Sequence, residues 1–133
     1  MDSEALRKKG FCEWKPFQKG VERLAPENKG VYAFRGLARL SLALGSSDVM
    51  CIGRATSDRK GPYHNLRRCL RQYLHPGHLQ RTRLRVGGKA LTQGWEISWM
   101  VTDSPEEVER HLLRCFRADH GQLPPENRAG PSS

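Results

Sequence analysis

Apolar residues follow two different periods along this chain, and the shorter period marks three strands. Gly30–Gly36 holds a run of four apolar residues between glycines, and the segment 37–47 extends it as a hairpin with a Gly-Ser-Ser turn signal. Asp48–Arg54 is typical of a second, buried strand. Trp95–Val101 alternates apolar and polar residues, which predicts a third strand with one buried face.

The helical period occurs twice. Pro62–His75 places its arginines opposite an apolar stripe that consists of Tyr63, Leu66, Leu70, Tyr73 and Leu74. A second helix is predicted to start at Ser104, where Glu107 completes an S-x-x-E capping box, and to end at Gly121. Its predicted core stripe is Val108, Leu112, Cys115 and Phe116.

These elements predict a small α/β domain, an α+β sandwich in which helices flank a mostly antiparallel three-stranded sheet. Residues 1–29 are predicted to be a lead-in, residues 30–127 the domain, and residues 128–133 a disordered tail rich in Pro, Gly and Ser. The segment Arg81–Leu91 is compatible with either a strand or a short helix.

The net charge of +9 is concentrated in one part of the chain. Ten basic residues and one acid, Asp58, lie between Arg54 and Lys89, whereas the rest of the chain is neutral. Such a concentration indicates a polyanionic partner, usually one that carries phosphate, although a solvated basic face without a partner is the alternative. The predicted nucleic-acid contacts are Arg54, Arg67, Arg68, Arg71, Arg81, Arg83, Arg85 and Lys89.

The cysteines and the first ten residues indicate the cellular compartment of the protein. The four cysteines form no C-x-x-C pair and match no zinc module, so we expect reduced, structural thiols. Met1–Gly10 is polar and unlike a secretory signal. No apolar run approaches the roughly 18 residues that a membrane-spanning helix needs. The sequence therefore predicts a cytoplasmic protein in a reducing environment, with no membrane partner.

Five sequence elements together resemble the GIY-YIG nuclease superfamily. Gly30-Val31-Tyr32 is similar to the first signature of that family, and Cys51-Ile52-Gly53 is similar to the second. The segment 65–74 resembles the helix that follows, Glu109 stands where the family keeps an acidic metal ligand, and residues 124–127 resemble the closing P-x-x-N. The likeness covers roughly residues 28–127, and its order and spacing are more specific than any single motif.

The resemblance implies a divalent-metal-dependent DNA endonuclease with Mg²⁺ or Mn²⁺ as cofactor. It assigns Tyr32 as the base that takes a proton from water, Glu109 as the metal ligand and Asn127 as a brace of the site. Arg54, which follows the second signature directly, is the candidate that would steady the phosphate. These residue types suit the chemistry, because a carboxylate-bound cation and a guanidinium both neutralise charge on a phosphate.

Two family positions are altered. Cys51 replaces the second-signature tyrosine, and Cys69 replaces the arginine of the helix. A thiol cannot reach where a phenol hydroxyl would lie, and Arg68 points about 100° away from position 69. We expect neither cysteine to be a nucleophile, since no histidine is close in sequence. Tyr73, one turn after Cys69, either lines the site or packs in the core.

Three functional readings follow from the sequence. The first is an active GIY-YIG endonuclease of reduced activity, and the second is a catalytically degenerate member of the family that only binds nucleic acid. The third discards the family and keeps a generic basic α/β module that binds DNA or RNA. The loss of tyrosine and arginine at positions 51 and 69 motivates the second reading, whereas the sequence as a whole narrowly favours the first, an enzyme of reduced activity.

Overall fold

The computed structural model describes residues 1–74 and 94–127, together with the backbone of two short strands between them. In chain order the elements are α1 (Ser3–Lys8), β1 (Lys15–Pro16), a first 3-10 helix (Val21–Leu24), β2 (Gly30–Ser41), β3 (Ser46–Ala55), α2 (Leu66–Leu74), β4 (Arg85–Val86), β5 (Lys89–Ala90), β6 (Glu96–Val101), α3 (Pro105–His120) and a second 3-10 helix (Pro125–Asn127). None of the helices in these ranges combines the length and the apolar character needed to cross a membrane.

The main sheet is antiparallel, with its strands in the order β1-β6-β2-β3, while β4 pairs with β5 alone. The predicted α+β class is confirmed, but the sheet has four strands instead of three. The additional strand is β1, in which Lys15 pairs with Ile97 and Pro16 with Glu96. Two residues are too few to show a period, so only the pairing across the chain reveals this strand.

Helices cover both faces of the sheet, and the two faces carry separate cores. On the α2 face, Tyr32 and Phe34 pack with residues of α2 and of the first 3-10 helix, including Leu66, Leu70 and Val21. On the α3 face, Val31, Ala33 and Ile52 pack with α1 and α3, including Leu6, Leu112 and Phe116. Because β2 is buried on both sides, its run of apolar residues is unbroken.

The register between β2 and β3 fixes which side chains share a face. Tyr32 is opposite Gly53, and Val31 is opposite Arg54. Neighbouring residues of a strand point to opposite faces, so Gly53 lies on the α2 face and Arg54 on the α3 face. Further along, Phe34 pairs with Cys51 and Arg35 with Val49, which leaves Met50 as the extra residue of a β-bulge.

The segment 1–29 is part of the domain, and its description as a lead-in has to be corrected. Leu6 and Phe11 lie in the core on the α3 face, whereas Val21 and Ala25 lie in the core on the α2 face. The few apolar residues of this segment are spaced irregularly, so no periodic pattern marks them as core residues. The predicted tail, 128–133, lies outside the described residues, as does most of the ambiguous segment 81–91.

Helix α2 begins at Leu66, four residues later than the apolar stripe predicts. The Asn65 side chain ends the preceding loop, because its Oδ1 accepts a hydrogen bond from the backbone N–H of Arg68 at 2.9 Å. This contact is an N-cap, and Asn is among the residues that cap best. Tyr63 therefore belongs to the loop 56–65 and not to the helix.

Helix α3 has the predicted end but not the predicted capping box. Gly121 closes it in the left-handed region at φ 71°, and Pro105 occupies the first turn. The Ser104 side chain makes no capping hydrogen bond. Its backbone N–H instead donates to Thr102 Oγ1 at 3.2 Å. The buried stripe also differs, because Leu113 and Glu109 are buried whereas Val108 and Cys115 are half-buried.

Candidate nucleic-acid interface and the residues of the predicted active site

The side-chain ring of Tyr32 lies over Gly53, the residue that pairs with Tyr32 on β3. A β-carbon at position 53 would come within 2.7 Å of Cε2 of the Tyr32 ring, so no residue larger than glycine fits beneath the phenol. The second-signature glycine thus has a packing role that requires no substrate. The same ring is opposite Trp99 on β6, and only 3 % of Tyr32 is exposed.

The Tyr32 hydroxyl faces the Tyr73 hydroxyl inside the core on the α2 face. It donates a hydrogen bond to the Tyr73 hydroxyl at 3.3 Å, and Cys51 and Cys69 belong to the same buried cluster. Burial raises the pKa of Tyr32 well above its ordinary value, and the nearby Tyr73 and cysteine side chains raise it further. A phenol in this setting holds its proton, which opposes the role of general base that the resemblance implies.

His64 lies beside Cys69, although the two residues are five positions apart in the sequence. The Cys69 Sγ atom is 3.4 Å from Nε2 and 3.5 Å from Nδ1 of His64. His64 Nε2 donates to the backbone carbonyl of Arg54 at 3.1 Å. The sequence offered one indication of this contact, because His64 precedes Cys69 by five residues and the first turn of α2 lies between them. Burial nevertheless raises the pKa of the Cys69 thiol to about 12, against a smaller lowering effect of Arg68, so the thiol stays neutral.

The buried thiol and phenols predict a loss of stability in alkaline solution. Burial raises the pKa of Cys69 to about 12 and also raises the pKa of Tyr73. Unfolded cysteine and tyrosine titrate near pH 8.5 and pH 10. Above about pH 8.5 the unfolded chain therefore loses protons that the folded chain keeps. The free energy of unfolding should fall by up to about 1.4 kcal/mol per pH unit for each such group.

Urea unfolding between pH 7 and pH 11 tests this expectation. The free energy of unfolding should be insensitive to these groups below about pH 8.5, decline above it and decline more steeply above about pH 10. In Tyr73→Phe the decline above pH 10 should be shallower by up to about 1.4 kcal/mol per unit, because one titrating group is gone. Parallel curves for the two proteins would contradict the assignment.

Arg54 and Glu109 form an ion pair on the opposite side of the sheet. Arg54 Nη1 donates to Glu109 Oε1 at 2.6 Å, and the glutamate side chain is 1 % exposed while the arginine side chain is 28 % exposed. The Nε atom of Arg54 is buried and makes no hydrogen bond within the described residues. The pair therefore joins β3 to α3, with the carboxylate turned inward.

This arrangement does not fit the metal site that the resemblance implies. A divalent cation needs accessible carboxylate oxygens, and at Glu109 a guanidinium already engages the carboxylate inside the protein. The described residues also contain no cluster of three or more His, Cys, Asp or Glu side chains that could hold a metal ion. Tyr32 and Glu109 are further separated by the sheet itself, since Tyr32 packs on the α2 face. The predicted catalytic residues are thus divided between two faces.

Asn127 braces β3 through a pair of buried hydrogen bonds. Its Oδ1 accepts from the Ile52 N–H, and its Nδ2 donates to the Ile52 carbonyl, both at 2.8 Å. The side-chain amide thereby presents to β3 the same donor and acceptor that a neighbouring strand would present. Asn127 and Glu109 both act on β3: Asn127 bonds the backbone of Ile52, and Glu109 pairs with the side chain of Arg54.

The arginines of α2 that are predicted to contact nucleic acid differ in their contacts within the protein. Arg67 is held by contacts within the protein: its Nε donates to the Ala25 carbonyl at 2.9 Å, and its Nη1 lies 3.6 Å from Glu27. Arg68 and Arg71 make no ion pair with any described residue. Arg81 and Arg83 lie outside the described residues, and Arg85 and Lys89 are described in their backbone only.

The loop 56–65 adds features that the sequence reasoning did not single out. The guanidinium carbon of Arg59 lies 4.0 Å from the centroid of the exposed Tyr63 ring. The Asn65 Nδ2 atom donates to the Arg59 carbonyl at 2.8 Å. Two signals in the sequence were available: an asparagine before the first buried leucine of a helix, and an aromatic residue close behind two basic ones.

Comparisons of this chain with models of protein families, with curated proteins and with solved structures found no significant match.

Proposed function

We propose that this protein is a GIY-YIG-like domain that binds nucleic acid through α2 and the preceding loop, and that it does not cleave its ligand with the residues of the family's active site. The observation that carries the proposal is the side of α2 that faces away from the core. Arg71 is exposed there, and Arg67 and Arg68 are half-buried. No acidic residue occurs in the helix, and Arg68 and Arg71 make no ion pair with the described residues.

The charges of α2 are unfavourable for the isolated helix. Arg67 and Arg68 lie in the first turn, where the positive end of the helix dipole repels cations. Arg67 and Arg71 are four residues apart, a spacing at which like charges repel by roughly 0.2–0.5 kcal/mol. Phosphates bound along this side would offset both the repulsion by the helix dipole and the repulsion between the arginines. The surrounding segment, 54–89, carries a charge of +9, which adds long-range attraction for a polyanion. DNA is the polyanion that the family resemblance implies.

Three features of the catalytic positions favour binding without hydrolysis. Tyr32 is buried and its pKa is raised, so it is a poor base. The Glu109 carboxylate faces Arg54 instead of an open site. Positions 51 and 69 hold thiols where the family carries a phenol and a guanidinium, and both thiols are buried.

A magnesium-dependent endonuclease remains the second candidate, on one specific observation. The Tyr32 hydroxyl, whose ring lies over Gly53, donates a hydrogen bond to the Tyr73 hydroxyl, so two phenols are paired beside the second signature. This pair places a second phenol near the position that lost its tyrosine at Cys51. Activity by that route would require Arg54 to leave Glu109 and the buried Tyr32 hydroxyl to become accessible.

Binding is tested by titrating labelled 20-nucleotide single strands and duplexes with the protein at several salt concentrations. The matched variants are Arg68→Ala/Arg71→Ala on α2 and Arg110→Ala/Arg114→Ala on the exposed side of α3, each with two charges removed. We expect the α2 variant to bind more weakly and to reduce the slope of log K against log salt by about 2. The α3 variant should retain most of the affinity. Absence of binding at low salt, or equal losses in both variants, would refute the proposal.

Cleavage is tested with supercoiled and branched DNA in Mg²⁺ or Mn²⁺, beside an EDTA control. Tyr32→Phe is the informative variant, because it removes one hydroxyl and keeps the ring over Gly53. We expect no cleavage by the unaltered protein. Metal-dependent cleavage that Tyr32→Phe abolishes would instead establish the second candidate.

A further inference from the structure

An arginine and a tyrosine are stacked on the surface of the loop 56–65. The Arg59 guanidinium carbon lies 4.0 Å from the centre of the Tyr63 ring, and 38 % of Tyr63 is exposed. Arg59 and the adjacent Lys60 are also exposed. An exposed aromatic ring next to a guanidinium is a flat surface on which a nucleobase can stack, either on the ring or on the arginine plane.

The loop holds this pair in one shape before any ligand binds. The Ser57 N–H donates to the His64 carbonyl at 3.0 Å, which closes the loop at its base. The Gly61 N–H donates to Glu27 at 2.8 Å, and Gly61 itself turns the chain at φ 94°. A surface that is already ordered loses less conformational entropy when it binds.

Asn65 joins the stacked pair to the basic side of α2. Its Nδ2 donates to the Arg59 carbonyl at 2.8 Å, and its Oδ1 accepts from the Arg68 N–H at 2.9 Å. The side-chain amide of Asn65 therefore bridges the backbone of Arg59 in the loop and the backbone of Arg68 in α2. The stacking surface therefore adjoins the first turn of α2, where Arg68 lies, and the two together form the face to which the inference refers. Asp58 is the acidic residue of the loop.

We propose that this face binds single-stranded nucleic acid, with an unpaired base stacked on Arg59 and Tyr63 and the neighbouring phosphates on Arg68 and Arg71. The inference rests on the proposed nucleic-acid-binding function and narrows its ligand. A surface tyrosine can reach the flat side of a base only where the base is unpaired, because in a duplex the neighbouring base pairs cover both sides. Phosphate contacts alone would not distinguish the two forms.

Fluorescence anisotropy with three ligands of equal length tests the inference: a single strand, a duplex and a single strand that lacks its bases. We expect Tyr63→Leu to weaken binding of the normal single strand by about tenfold, within the range of base–aromatic stacking. The same variant should bind the duplex and the abasic strand like the unaltered protein. Tyr63→Phe keeps the ring and should keep the affinity. Because no charge is removed, the salt slope of Tyr63→Leu should be unchanged.

The outcomes separate this inference from the function on which it rests. If Tyr63→Leu leaves single-strand binding unchanged, or weakens all three ligands equally, stacking on this loop is refuted. In that case a loss in Arg68→Ala/Arg71→Ala would still support nucleic-acid binding through α2. If the unaltered protein binds none of the three ligands at low salt, both proposals fail.

Discussion

Arg54→Met is expected to lower the free energy of unfolding by about 3–5 kcal/mol, the range for breaking a buried ion pair by removing one partner. The reason is the environment of the partner that remains. Glu109 is 1 % exposed, so its carboxylate cannot turn to water when the guanidinium at 2.6 Å is removed. Urea unfolding monitored by circular dichroism measures the difference.

Two further variants make this expectation specific. Arg54→Met/Glu109→Leu should recover most of the lost stability, because apolar residues of similar volume often replace a buried ion pair at little net cost. Arg39→Met removes the exposed ion pair with Asp2 and should cost no more than about 1 kcal/mol. If the double variant is less stable than Arg54→Met, the structural role assigned to the pair is wrong. Because Glu109 stabilises the fold through this ion pair, a loss of activity in Glu109→Ala could come from loss of folding as well as from loss of catalysis.

Asn127→Ala is expected to cost about 2–4 kcal/mol, because it removes two hydrogen bonds whose partner groups are buried. The amide bonds the N–H and the carbonyl of Ile52 at 2.8 Å, and Ile52 is fully buried. No other type of residue at this position supplies a donor and an acceptor at the same reach. The free energy of unfolding, measured in urea at pH 7, gives the cost.

Gln122→Ala is the matched control for this prediction. Its Oε1 accepts a hydrogen bond from the Ala43 N–H at the same distance, 2.8 Å, but the contact is exposed to water. Water can replace the lost partner there, so a cost below about 1 kcal/mol is expected. Equal costs for the two variants would show that Asn127 is not the brace described above.

The strands and the last helix could be predicted because their signals are local. β2 and β3 are marked by apolar runs between glycines, and the alternation of Trp95, Ile97 and Trp99 marks the third strand. The alternation did not reveal that Ser98 is buried as well and that Val101 is exposed. The end of α3 at Gly121 follows from the left-handed conformation that glycine adopts without strain. The concentration of arginines on one side of α2 was likewise visible from the helical period.

The arrangement of the candidate site depends on contacts between distant parts of the chain. Strand alternation places Gly53 and Arg54 on opposite faces, but the sequence does not say which face α3 covers. That choice decides whether Glu109 meets Tyr32 or Arg54, and the structure brings it to Arg54. Burial of Tyr32 depends in the same way on α2 and on the segment 1–29, whose core residues follow no period.

The contact between Asn127 and Ile52 also bears on how this protein behaves at high concentration. In the described sheet β3 is one of the two outer strands, and the unpaired groups of an outer strand can recruit a strand of another molecule. One side-chain amide occupies such a position in the middle of β3. We therefore expect Asn127 to hinder the pairing of β3 with a strand of another molecule, and a truncation before residue 127 to remove this barrier together with the brace.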